Sequence, residues 1–228
     1  MKPPFLPRLL SLFLVALSAI GISRAETPAA PHRFEKDIAA LEAADQKNPP
    51  PKGAILFVGD STFTRWKSIH ADLPGYTLLN RGFGGSTMSD LLYFTDRIVI
   101  KYQPRLIVVQ GGGNDLHSGR TPEQFVADVK AFVEKVQSKL PGVPLIIGGL
   151  APSLARWDET ETRRRSDRLL AAYVATCKGV TFLDFFTPLL GPDGQPRPEL
   201  FVEDRLHPSP LGYQLRAKLL QPLLGKAE

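Results

Sequence analysis

The sequence is poor in cysteine and histidine, and it has no apolar run long enough to cross a bilayer. Its one cysteine, Cys177, rules out an intramolecular disulfide and lies too far from the N-terminus to carry a lipid anchor. It reads as a small buried apolar residue. The four histidines, His32, His70, His117 and His207, nowhere stand at ligand spacing, and H-E-x-x-H is absent, so neither a metal site nor another cofactor is expected. No G-K-[ST] occurs, and "GFGGST" lacks the last glycine of G-x-G-x-x-G, which removes the nucleotide loops. The longest apolar run, "LLSLFLVALSAIGI", has 14 residues, short of the roughly 20 that span a membrane. Lys2 and Arg8 precede it and "SRA" follows. Residues 1–25 therefore read as a secretory signal cleaved after Ala25, with an uncleaved anchor as the alternative, and cleavage leaves a periplasmic or extracellular protein with no stable membrane insertion.

Excess charge of one sign is also scarce once the signal is set aside. The chain's net +5 includes Lys2, Arg8 and Arg24 against no acid in residues 1–25, so the remainder carries +2. Arg163, Arg164, Arg165 and Arg168 lie among Asp158, Glu159, Glu161 and Asp167, which reads as a solvated helix face, and no nucleic-acid partner is expected. There is no internal repeat and no low-complexity segment.

What is present suits one α/β domain. The 228 residues are 43% hydrophobic, enough for a sizeable core. Phe34, Ile38, Leu41 and Ala44 predict a short amphipathic helix, so that 26–53 forms a helix and linker ending in "NPPPKG", ahead of a domain over 54–228. Apolar runs at 54–58, 76–79, 105–110, 144–150 and 180–184 alternate with helix-period segments, which implies a parallel sheet covered on both faces. Helices are predicted over 121–140, with Thr121, Pro122 and Gln124 forming its start, over 159–177, and from Pro210 to Leu224 with Ser209 as cap.

In an open parallel sheet, the loops leaving the carboxyl ends of the strands hold the ligand. Three of them are unusual here: "GDST" after the first strand, "NRGFGGST" after the second and "QGGGND" after the third. Ser61 offers a hydroxyl. Asp204 precedes His207 by three residues, close enough for the carboxylate to hold one imidazole nitrogen while the other faces Ser61. His117 is the reserve base. The glycines let backbone N–H groups approach an oxyanion, and Asn114 offers a side-chain amide.

Together these blocks resemble the SGNH hydrolase family, the GDSL esterases and lipases. "FVGDST", "NRGFGGST", "QGGGND" and "EDRLHP" follow the family's order over residues 57–208. The resemblance implies a three-layer α/β/α, flavodoxin-like doubly wound parallel sheet of about five strands. It further implies Ser61 as nucleophile, His207 as general base and Asp204 as its orienting acid. The oxyanion hole would come from the backbone N–H groups of Ser61 and Gly85 and the amide of Asn114, with Gly85 preferred to Gly84. The family's leucine after the serine is Thr62 here. An α/β-hydrolase would need G-x-S-x-G, but Phe63 stands two places after Ser61.

The expected reaction is ester hydrolysis through an acyl-enzyme, on a small ester, an acylated carbohydrate or a lipid. Without an insertion long enough for a lid, short acyl groups are favoured over lysophospholipids. Acyl transfer and non-catalytic glycan binding are the alternatives. After the fourth strand, "APSLARWDE" offers Arg156 and Trp157 as substrate contacts, whereas Arg65 and Trp66 read as packing.

Overall fold

Five short apolar segments pair in one parallel sheet, and their order decides where the ligand-binding edge lies. In the computed structural model, Met1 and residues 32–226 are described; the expected export signal, apart from Met1, lies outside the described residues. The strands are β1 (Ile55–Gly59), β2 (Leu78–Asn80), β3 (Leu106–Gln110), β4 (Leu145–Gly148) and β5 (Val180–Leu183), in the order β2-β1-β3-β4-β5, with every pairing parallel. The chain leaves β1 toward β2 on one side and later returns to β3 on the other. The β1/β3 boundary is thus the topological switch point, outside whose carboxyl ends doubly wound folds open a crevice.

Alternate residues of the central strands feed two cores, as expected of strands covered on both faces. Leu56, Val58, Ile107, Val109 and Ile147 meet α1 (Glu35–Lys47), α4 (Met88–Ile98), α6 (Pro122–Lys139) and α7 (Thr160–Val174). Ile55, Phe57, Val108 and Ile146 face the opposite way, onto α3 (Ile69–Asp72) and α8 (Pro210–Leu220). Two short helices, α2 (Ser61–Thr64) and α5 (Gly113–His117), begin within three residues of the ends of β1 and β3. The sequence thus places the strands to within two residues at either end. One expectation shifts: the helical N-terminal segment is part of the domain, because Ile38 is fully buried in the first core.

The predicted caps form. Thr121 and Gln124 exchange hydrogen bonds in a capping box at α6, and Ser209 Oγ accepts the Gly212 N–H at α8. Cys177 is half-buried rather than buried, its Sγ turned to the Tyr173 carbonyl at the end of α7. Among the described residues no helix is long and apolar enough to cross a membrane.

Candidate active site

The nucleophile loop exists because Gly59 leaves no room for a larger residue at the strand end and Asp60 starts a helix directly after it. A Cβ on Gly59 would lie 1.9 Å from the Gln110 carbonyl oxygen of the neighbouring strand, so only glycine ends β1 here. Asp60 then caps α2, its Oδ1 accepting the Thr62 N–H at 2.9 Å. Ser61 thereby becomes the first helical residue, with its hydroxyl at the sheet edge. The second loop continues the β2–β1 pairing through Arg81 N–H to the Phe57 carbonyl and Phe83 N–H to that of Gly59. Asn80 fastens it to the first: its Nδ2 donates to the Phe63 carbonyl at 2.7 Å and its Oδ1 accepts the Gly82 N–H at 2.9 Å. From α8, the Tyr213 hydroxyl donates to the Thr62 carbonyl at 2.9 Å.

The base arrives on a tight turn, with Arg205 in the left-handed region at φ 57°. Asp204 Oδ1 accepts the N–H groups of Leu206 and His207, both at 2.9 Å, while Oδ2 meets His207 Nδ1 at 2.6 Å. Nδ1 therefore carries the proton, which leaves the Nε2 lone pair for the Ser61 hydroxyl, 2.8 Å away. Burial works against ionising Asp204, but the His207 N–H, the His207 ring and the Leu206 N–H outweigh it and hold the carboxyl well below the usual range. Arg65 adds a further donor at 3.2 Å.

The third loop supplies amide and acid. Asn114 Nδ2 donates to the Ser86 carbonyl at 3.0 Å, which leaves the second N–H of that amide for another acceptor. Next to it, the fully buried Asp115 accepts the Met88 N–H with both oxygens at 3.1 Å, locking the start of α4 to α5. Burial raises the Asp115 carboxyl to about 6 against the pull of that N–H and of Arg120. In the second loop, a Cβ on Gly84 would sit 3.8 Å from Ser61 Cβ, and Gly85 turns the chain at φ 80°. Gly112, at φ 99°, lies so close to Phe125 that a Cβ would fall 2.5 Å from the ring, so the glycine opens room for α5 to start.

Ser61, Asn114 and His207 line one cavity of about 50 Å³, together with Arg156, Arg163 and Arg216. Of the sequence-predicted residues, Ser61, His207 and Asn114 share this cavity, Asp204 reaches it through His207, and Gly84 approaches Ser61, whereas Gly85 is not among the lining residues; Arg156 is, its Nη1 donating to the Gly113 carbonyl at 3.0 Å. Trp157 does not line this cavity. The exposed His117 pairs with Glu159 at 2.6 Å instead of reaching Ser61, and His70 is exposed on α3. Trp66 is buried between Phe63 and Tyr213, as expected of packing, while Arg65 touches Asp204.

The expectation of a solvated arginine face fails at Arg163. It shares the buried stripe of α7 with Ser166, Leu170 and Val174, and only 4% of it is exposed. Continuing the Leu170 and Val174 spacing back two turns reaches residue 163 and would have found it. The roles of Asn80, Tyr213 and Arg216 were also missed, and of these only Asn80, the first residue of the "NRGFGGST" block, stood in a quoted motif. Among the described residues, no three His, Cys, Asp or Glu side chains gather where they could hold a metal ion.

Comparison with known proteins agrees with this architecture. Platelet-activating factor acetylhydrolase IB subunit alpha1 of Bos taurus is 28% identical over 202 residues, 85% of this chain and 80% of the relative. A GDSL-like lipase structure from Bacteroides thetaiotaomicron superposes with a TM-score of 0.73 at 19% identity, covering 84% of this chain and 98% of the other. An acetyl-xylooligosaccharide esterase structure from Geobacillus gives 0.61 at 18% identity, covering 77% and 95%. Residues 53–215, a stretch that holds the serine, glycine, asparagine and histidine blocks alike, match the model of the GDSL-like lipase/acylhydrolase family, and to that family the chain belongs.

Proposed function

We propose that the chain is an exported serine esterase that hydrolyses carboxylic esters of short acyl groups, an acetylated carbohydrate among the candidate substrates, through an acyl-enzyme on Ser61. The observation that carries the reading is the continuous chain of contacts from Asp204 Oδ2 to His207 Nδ1 at 2.6 Å and from His207 Nε2 to Ser61 Oγ at 2.8 Å. His207 takes the Ser61 proton as Oγ attacks the ester carbonyl, then gives it to the leaving alcohol. Asp204 keeps the imidazole in the tautomer that can accept and stabilises the imidazolium. The N–H groups of Ser61 and Gly85 and the remaining amide N–H of Asn114 bind the developing oxyanion. Water, deprotonated by His207, then releases the acid.

Size favours a short acyl group. The cavity at Ser61, about 50 Å³, has room for a few water-sized groups. A larger depression of about 310 Å³, lined by Arg65, Val202, Pro208 and Tyr213, also borders His207 and offers room for a leaving alcohol within reach of its proton. Two proteins with related sequence or fold carry acetyl esters in their names, which supports the same reading. The test is hydrolysis of nitrophenyl esters from acetyl to palmitoyl, beside Ser61→Ala. Serine-dependent activity concentrated in the shortest chains is expected; activity rising with chain length would replace it with a lipid acylhydrolase.

A further inference from the structure

Three arginines line the cavity beside Ser61, and the hydrolytic chemistry uses none of them. Arg163 comes from α7, Arg216 from α8 and Arg156 from the segment between β4 and α7, so three separate elements bring guanidinium groups to one space. Arg163 and Arg216 are 4% and 2% exposed, and burying a cation is costly unless an anion and hydrogen bonds compensate it.

The compensation inside the protein is incomplete. Glu159 takes Arg163 Nη2 at 2.7 Å, but the same carboxylate also holds His117 at 2.6 Å. The other partners are neutral: the Ala151 carbonyl for Arg163 at 3.1 Å, Gln110 Oε1 for Arg216 at 2.9 Å, and the Gly113 carbonyl for Arg156 at 3.0 Å. Nε of Arg163 and Nε of Arg216 are buried with no partner. The one acid in the lining itself, Asp60, is engaged by the Thr62 N–H, and burial pushes its carboxyl up toward the neutral form. Desolvation lowers Arg156 against the pull of Glu159 and Asp60, and lowers Arg216 to about 10 against that of Tyr213 and Asp60.

We propose that this cavity is an anion subsite in which Arg156, Arg163 and Arg216 recognise a carboxylate carried by the substrate close to its scissile ester. The proposal rests on the esterase reading above and names the substrate class within it. Planar guanidinium forks match a carboxylate, and each charge-assisted contact is strong in a site that excludes water. With the acyl group in this cavity, the carboxylate is the far end of a dicarboxylic acyl group such as succinyl. Its other source, with the alcohol side of the ester in this cavity, which His207 also lines, is an acid on the alcohol, as in an acetylated uronic acid.

The experiment compares kcat/KM of the full chain on two matched pairs: nitrophenyl hydrogen succinate against nitrophenyl butanoate, and acetylated glucuronic acid against acetylated glucose, each corrected for the uncatalysed rate. The acidic member of one pair is expected to exceed its neutral partner by about 10-fold or more, and the responding pair identifies the source. In Arg156→Gln and in Arg163→Gln that ratio falls by about 10-fold, mainly through KM, and Arg156→Lys recovers part of it. Ratios at or below one in both pairs, with neutral esters still cleaved by Ser61, overturn the subsite and leave the esterase standing. An acid preference that survives both glutamine variants overturns the assignment to these arginines. No Ser61-dependent hydrolysis of any of the four overturns both readings.

Discussion

Gly82→Ala tests whether the second loop and the nucleophile loop act as one unit. A Cβ at residue 82 would lie 2.7 Å from Phe63 Cβ and 2.8 Å from the Thr64 nitrogen, where ordinary contact begins at 3.4 Å. The loops must part by about 0.7 Å, and neither opposing atom is the end of a flexible side chain. Phe63 cannot recoil, because it is 1% exposed, edge-on to Phe57 and stacked with Trp66. The second loop therefore yields, and it carries Gly84 and Gly85 away from Ser61. Since a misplacement of about 1 Å can cost about 10²-fold in rate, kcat should fall by about 10- to 100-fold with KM little changed. Overpacking of this kind also costs about 1–3 kcal/mol of stability. The measurement is saturation kinetics on nitrophenyl acetate beside a thermal unfolding scan. A variant whose Tm falls while kcat stays within about twofold of the parent would refute the coupling.

Three further outcomes follow from the same geometry. Asn114→Ala should lower kcat by about 10²- to 10³-fold on short nitrophenyl esters; unchanged turnover would remove Asn114 from the oxyanion hole. Asp204→Asn presents an amide to His207 Nδ1 and favours the tautomer with the proton on Nε2, so kcat should drop by about 10³- to 10⁴-fold with the fold intact by circular dichroism; a drop below about tenfold would refute the orienting role. Asp115, raised to about 6 by burial, binds its proton more tightly folded than unfolded, so its favourable contribution is complete below about pH 4 and is lost as pH rises to about 6. The stability difference between the parent and Asp115→Asn should accordingly shift against the parent over that window and level off above it; a pH-independent difference in Tm would contradict the raised carboxyl.

The parts of the site that could be read from the sequence are those in which a local rule forces the residue. Thr121 with Gln124 and Ser209 mark helix starts by such rules, so those helices could be placed, whereas the demand for glycine at 59 comes from Gln110 on the neighbouring strand and is not local. Asp204 and His207 are three residues apart, which makes their pairing a local matter too. Arg163 escaped for a different reason. Its neighbours 164, 165 and 168 are charged, and the mixture of signs hid the one position that shares a face with Leu170 and Val174. Trp157 was overrated because adjacency in sequence was taken for adjacency in space. Arg156 departs from helical geometry at φ −134° and ψ 39°, and within that bend Arg156 lines the cavity while the following indole does not.

The contacts invisible to any local pattern are those that fix Ser61 relative to His207. The two residues are 146 apart in sequence, and their 2.8 Å contact needs something that resists independent movement of the two loops. α8 provides it. The helix begins three residues after His207, packs Tyr213 against Trp66 in the core beneath the nucleophile loop, and sends the Tyr213 hydroxyl to the Thr62 carbonyl, one residue past Ser61. Its other end is held by the fully buried Leu220. The base is therefore anchored six residues from a direct tie to the nucleophile's neighbour, so a displacement of α8 carries both loops together. Arg216 stands on the same helix one turn beyond Tyr213, so the element that sets the Ser61–His207 distance also brings a charge to the cavity. Catalytic geometry and the chemistry of the bound ester are in this way coupled through a single helix, an arrangement that neither the apolar pattern nor the motif blocks record.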